Sequence, residues 1–171
     1  TSTEIAYRPE LLNAWGSTYW PDGTASFSTS SSSYTAVTAA SLLGTAVRTG
    51  QAQACSDTNA ICLKVPSLPA GSYRIDYSGG AGSNGTSTCS FSAYDGSTDY
   101  EMTSGADYAT AGHTVIVYSA AQANKEFTLR VKRTNASGTC EIATSLNIGH
   151  NLTITPLDQK MPAPILVGSV T

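Results

Sequence analysis

The acids Asp95, Asp99, Glu101 and Asp107 crowd into one short segment, interleaved with Tyr94, Tyr100 and Tyr108. Three chemistries could use such a cluster. Glycoside hydrolysis needs two carboxylates facing each other about 5–9 Å apart, and a single acidic loop could hold them. A calcium loop needs oxygen ligands at regular short spacing with a terminal Glu. Asp95-Gly-Ser-Thr-Asp99 has two of those parts but no ordered set. Sugar binding pairs an aromatic face with acceptors for hydroxyls, which is what Tyr beside Asp supplies. Tyr94, Asp95, Tyr100, Asp107 and Tyr108 are therefore the candidate ligand contacts. The bland alternative is that these tyrosines pack on the domain or at a subunit interface. No residue is assigned a catalytic role, and no metal or cofactor is expected.

Other motifs fail for want of context. Gly80-Ala-Gly-Ser-Asn-Gly85 matches the dinucleotide fingerprint. That motif needs its third glycine to open a helix, whereas Thr86 to Tyr94 reads as an alternating strand. No G-x-S-x-G elbow occurs. His113 and His150 each follow a glycine and read as loop histidines. Asn84-Gly-Thr86, Asn135-Ala-Ser137 and Asn151-Leu-Thr153 match the glycosylation sequon, as expected in a chain so rich in Asn, Ser and Thr.

Composition narrows the class. Only 12% of the 171 residues are charged, about half the usual share. Ser and Thr make up roughly a quarter of the chain, and Tyr (9) outnumbers Phe (3). Such a surface is wetted by hydroxyls and amides, as in secreted and cell-surface β proteins. The net charge is −3, with basic residues scattered apart from Arg130, Lys132 and Arg133. Nucleic acid binding needs a basic stripe that neutralises several phosphates, so none is expected. No apolar run approaches a membrane span of about 18 residues, so no membrane insertion is expected. No signal-peptide pattern opens the sequence, which fits a mature chain or a piece of a longer one.

The elements that must position these residues alternate with period two. Ile61, Leu63 and Val65 form one run, Tyr73, Ile75 and Tyr77 another, and Cys89, Phe91 and Ala93 a third. Val115 and Val117, then Phe127, Leu129 and Val131, then Cys140 with Ile142, then Leu152 with Ile154 continue the pattern. Loops are expected over 28–33, over the Gly/Ser/Asn stretch 79–87, and over the aperiodic segment 94–112. Pro21-Asp-Gly23 reads as a turn between aromatic-rich segments, and 36–47 leans towards strand because β-branched residues disfavour helix interiors. The fold class is all-β, an antiparallel β-sandwich or jelly roll.

Cysteine pairing follows from phase. Cys89 shares an apolar face with Phe91, and Cys140 with Ile142, so both thiols point inward and a core bridge can form. Closing about 50 residues contributes ~4 kcal/mol by loop entropy. Cys55 and Cys62 flank a polar stretch that reads as a hairpin end, and a clip there contributes nearer ~2.5 kcal/mol. Two disulfides imply an oxidising compartment.

Leu68-Pro-Ala-Gly-Ser-Tyr-Arg-Ile75 resembles a strand opening frequent in β-sandwich domains of phage and bacterial fibres. Pro156-Leu-Asp-Gln-Lys-Met-Pro-Ala-Pro-Ile-Leu-Val-Gly-Ser-Val170 resembles the connector of trimeric tail-fibre-like adhesins, the mosaic adhesive trimer fibres of predatory bacteria. There a trimeric jelly roll, similar to the complement and tumour-necrosis-factor head, precedes a small tip domain. The resemblance implies a homotrimer at the cell surface that recognises a cell-envelope glycan or receptor, and it carries over no binding residue. It also implies a head over 1–157 and a connector over 158–171 leading to a further domain. The alternatives are a monomeric carbohydrate-binding module and a passive spacer. Ile165, Leu166 and Val167 are expected to meet their copies on the three-fold axis, with Pro162 and Pro164 barring them from a central strand.

Overall fold

Phe127, Leu129 and Val131 are fully buried, while Thr128, Arg130 and Lys132 between them point outward. That alternation is the signature of a sheet with one face on a core, and it repeats through the structure. The computed structural model describes residues 15–21, 26–38, 44–84, 87–106, 108–143 and 149–158. These residues form strands and turns without a helix. The strands are β1 (Gly16–Trp20), β2 (Ser26–Thr29), β3 (Thr35–Ala36), β4 (Val47–Gly50), β5 (Cys62–Leu68) and β6 (Gly71–Asn84). They continue with β7 (Cys89–Tyr94), β8 (Asp99–Ala106), β9 (Tyr108–Tyr118), β10 (Gln122–Arg133), β11 (Thr139–Ala143) and β12 (His150–Pro156).

All pairings are antiparallel, and they build one seven-stranded and one five-stranded sheet. Across the first the order is β9-β6-β12-β1-β4. The long β6 carries β12 along Tyr73–Ser78 and β11 along Ala81–Asn84, end to end on one side. Across the second, β8-β7-β10 is followed by β5 and β3, which share the far side of β10. Number the principal strands β1, β5, β6, β7, β8, β9, β10 and β12 from first to eighth. The sheets then run first-eighth-third-sixth and second-seventh-fourth-fifth, the nested connectivity of a jelly roll.

The core lies between the sheets. Tyr77 of β6 stacks on Phe91 of β7 with centroids 6.2 Å apart, and Ile75, Ile154, Leu63 and Leu129 fill in around them. Both expected disulfides are present. Cys89–Cys140 joins β7 to β11 and so ties one sheet to the other, with Cα atoms 5.8 Å apart. Cys55–Cys62 closes the turn that leads into β5, beside the antiparallel bridge Gln53–Lys64.

Several local expectations need correction. The stretch 79–84 continues β6 as strand, with a register shift between Ser78 and Ala81. Glycine in a strand marks a bulge or a close backbone approach, and a Cβ at Gly79 would collide with His150 Nδ1 and the Tyr77 hydroxyl. The segment 94–112 is largely β8 and the start of β9, joined to β7 by a short turn at 95–98. Its period was obscured because β8 is an edge strand whose outward residues are acids, and its pairing with β7 slips twice. Part of the run 28–33 belongs to β2. The two histidines lie in strands: His113 is exposed on β9, and His150 is buried at the start of β12. Within 36–47 only Ala36 and Val47 are strand among the described residues. Asp22 and Gly23 of the expected turn, the sequon Thr86, Asp107, residues 39–43 and the tail with Ile165, Leu166 and Val167 lie outside the described residues.

Candidate functional site

Strand β10 is the spine of the outward face of the five-stranded sheet. Its inward Phe127, Leu129 and Val131 anchor it in the core, so its outward side chains are held in fixed rows. Arg130 is clamped from three directions. Its Nη1 donates to Asp99 Oδ2 at 2.8 Å and its Nη2 to the Tyr34 carbonyl at 2.6 Å. The guanidinium also lies 4.4 Å from the centroid of the Tyr94 ring. Asp99 takes a further bond from the buried Ser92 hydroxyl at 2.7 Å. Two positions along, Lys132 sits 4.3 Å above the Tyr34 ring, whose hydroxyl donates to Glu101 Oε2 at 2.9 Å. Burial, that hydrogen bond and the charges of Glu101 and Asp99 push the Tyr34 phenol well above its ordinary range.

The β7–β8 turn is organised by one carboxylate. Asp95 Oδ1 accepts from the Ser97 and Thr98 amides and the Ser97 hydroxyl, at 3.0, 2.9 and 2.8 Å. Its Oδ2 accepts from Lys125 Nζ and the Tyr118 hydroxyl, both at 3.0 Å. Burial favours the protonated acid, but Lys125 and the turn donors outweigh it and hold the carboxyl well below the usual range. The Tyr118 phenol is pushed up by burial and by the neighbouring Asp95 charge. Five donors on one buried carboxylate make this turn rigid.

Beside the turn, where β10 begins, lies a groove of about 520 Å³, the size of many ligand clefts. Tyr94, Asp95, Gln122, Asn124, Glu126 and Thr128 line it. Asn124 has a φ of 51°, the left-handed region that Asn tolerates better than most residues. A second cavity of about 100 Å³ lies against Trp20 and the Cys55–Cys62 bridge. A Glu126 carboxylate oxygen comes within 4.8 Å of the two sulfurs there. Joined as a disulfide, those sulfurs offer no thiolate to a metal.

The sequence candidates fall in different places. Tyr94 and Asp95 come together on the groove. Tyr100 points the other way on β8 and packs against the core. Tyr108 opens β9, and Asp107 lies outside the described residues. Tyr34, Gln122, Asn124 and Arg130 were not singled out as site residues. Arg130 could have been found as an outward position of an alternating strand. Tyr34 gave no such signal, because its neighbours Arg130 and Lys132 stand nearly a hundred residues away in sequence.

The outward face of the seven-stranded sheet is chemically different. Val115 and Val117 on β9 are 53% and 69% exposed. Three strands across and nearer the opposite end of the sheet, Tyr19 on β1 pairs with Val47 on β4, and these are 39% and 52% exposed. The Tyr19 ring lies over Gly149, where no side chain could share the space. Between the two patches Arg74 and Asp76 neutralise each other at 2.7 Å. Ser17, Asn151 and Thr153 bond among themselves beside them.

No family model and no curated protein matches the sequence. Among solved structures it is similar to the PRD1 vertex protein P5, at 13% identity and a TM-score of 0.45, over 85% of this chain and 99% of that one. It is also similar to Eiger TNF from S. frugiperda, at 10% identity and a TM-score of 0.41, over 90% and 99%. A mannan binding module from Man5C aligns at 19% identity and a TM-score of 0.34, over 62% and 87%. The jelly-roll architecture rests on the strand pairings themselves.

Proposed function

We propose that this chain is a non-catalytic binding head of a homotrimeric extracellular fibre, recognising a glycan or receptor of a cell envelope. One observation carries the reading: the two outward faces of the sandwich are built for different neighbours. The seven-stranded face has neutralised charges, a hydroxyl-rich centre and an apolar patch at each side. Unlike patches on one face favour a head-to-tail contact between copies, and such a contact forms a ring where its rotation closes. The number three comes from the resemblance to trimeric adhesins. The five-stranded face, with its clamped tyrosines and its groove, stays open for a ligand. A non-catalytic role fits because Asp95 and Asp99 are consumed by Lys125 and Arg130. The two disulfides suit an oxidising, extracellular setting.

Three weak sites on one axis raise avidity by ~10²–10⁴ without any new contact. The test is binding of the protein to immobilised envelope glycans, compared with a Val115→Glu/Val117→Glu variant. The variant should fold, dissociate and lose avidity by about a hundredfold. Equal binding by both proteins would favour the monomeric carbohydrate-binding module, a reading supported by a groove that is complete within one chain.

A further inference from the structure

The groove at the start of β10 has a chemistry that narrows its ligand, and this step rests on the glycan-binding reading above. We propose that it is a subsite for an uncharged sugar unit, with Tyr94 as the apolar platform and Asn124, Gln122 and Thr128 as the groups that read its hydroxyls.

Charge comes first. The cation that lines the groove, Lys125, is already engaged by Asp95 at 3.0 Å, and Arg130 beside Tyr94 is engaged by Asp99, the Tyr34 carbonyl and the Tyr94 ring. Glu126 lines the groove and accepts the Ser56 amide. An anionic ligand would therefore meet a carboxylate and no free cation among the described residues that line the groove, Lys64 standing outside that lining beside Glu126. A neutral polyol meets carboxamides and a hydroxyl, which can donate and accept at once. Gln122 Nε2 is held by the Ala120 carbonyl at 2.9 Å, which leaves the amide oxygen as acceptor. Asn124 and Thr128 make no side-chain hydrogen bond among the described residues, so both are available to a ligand.

Rigidity comes second. Asp95 fixes the floor through five donors. The Tyr94 ring is fixed by Arg130 and by its hydroxyl, which donates to the Gly96 carbonyl at 2.8 Å. A ring already immobilised loses little entropy when a sugar stacks on it. The left-handed backbone at Asn124 breaks the regular run of β10 at the groove, and such outliers collect at ligand sites.

The experiment is amide chemical-shift mapping on the native, isotope-labelled protein. The probes are cellotriose, chitotriose and mannotriose, with sialyllactose as the anionic control. At least one neutral triose should shift amides in 94–98 and 122–128, and sialyllactose should not. Asn124→Gly keeps the left-handed backbone and removes the carboxamide, so it should weaken that triose about fivefold. Tyr94→Ala should weaken it about tenfold; if that variant misfolds, Asn124→Gly with Gln122→Ala carries the test. Shifts confined to other residues, unchanged affinity in the variants, or preference for sialyllactose would each overturn the groove assignment. Glycan binding mapped elsewhere would leave the binding-head reading standing. No shift with any neutral probe would also overturn the assignment. Loss of envelope-glycan binding by the native protein would remove the wider reading as well.

Discussion

His150 shows how far a single residue can depart from its sequence context. It follows Gly149 and looked like a loop histidine, yet it is only 1% exposed at the start of β12. Its Nδ1 lies 3.0 Å from the Tyr77 hydroxyl, and its Nε2 has no hydrogen-bond partner among the described residues. The space for it comes from Gly79, whose missing Cβ would collide with both groups. None of that was legible, because the residues that bury it stand about seventy positions away. Burial lowers its pKa from 6.5 to about 4. The unfolded chain therefore binds more protons than the folded one between those values, and stability falls as pH drops through that window. The loss at the bottom amounts to about 3 kcal/mol. Asp95 has a depressed pKa as well, but its contribution fades only as pH falls below its unfolded value of 3.8. Chemical denaturation at pH 7 and pH 4.5 should show the fall in the native protein. His150→Leu should show a smaller one, and an equal fall in both would rule His150 out as the cause.

At the scale of elements, strands with an apolar inward face were legible and strands without one were not. Cys89, Phe91 and Ala93 announced β7, and the same phase argument paired Cys89 with Cys140. Strand β8 hid because Tyr100 and Met102 point inward between outward acids, and two register slips broke the count. The extension of β6 hid because its glycines carry no side chain to alternate. Tyr94 and Asp95 were found by type and proximity, whereas the partners that give them a role, Arg130 and Lys125, come from β10. The β7–β8 turn offers a direct test of this dependence. Asp95→Ala would leave Lys125 and the Tyr118 hydroxyl without their acceptor, and the turn amides without a cap. A loss of about 3 kcal/mol is expected in denaturant unfolding at pH 7. Asp95→Asn keeps the Oδ1 acceptor and removes the charge, so it should lose less. A change below about 0.5 kcal/mol in the alanine variant would mean the turn is held by the ladder alone.

For the whole molecule, the composition already pointed to a charge-poor, extracellular β-sandwich, and the strand order makes it a jelly roll. What alternation could not reveal was that the outward faces differ. Val115 and Val117 read as one more alternating apolar run, but the residue that β9 buries is Ile116 between them, and the two valines face outward. Their meaning depends on Tyr19 and Val47 lying on the same face, three strands away. A free monomer would leave both patches in water, while a closed ring covers each with the other. The most direct test is the mass of the native chain in solution by sedimentation equilibrium at micromolar concentration. A single species of about three times the 17.7 kDa chain mass is expected, reduced to the monomer by Val115→Glu/Val117→Glu. A native chain that stays at 17.7 kDa up to millimolar concentration would contradict it.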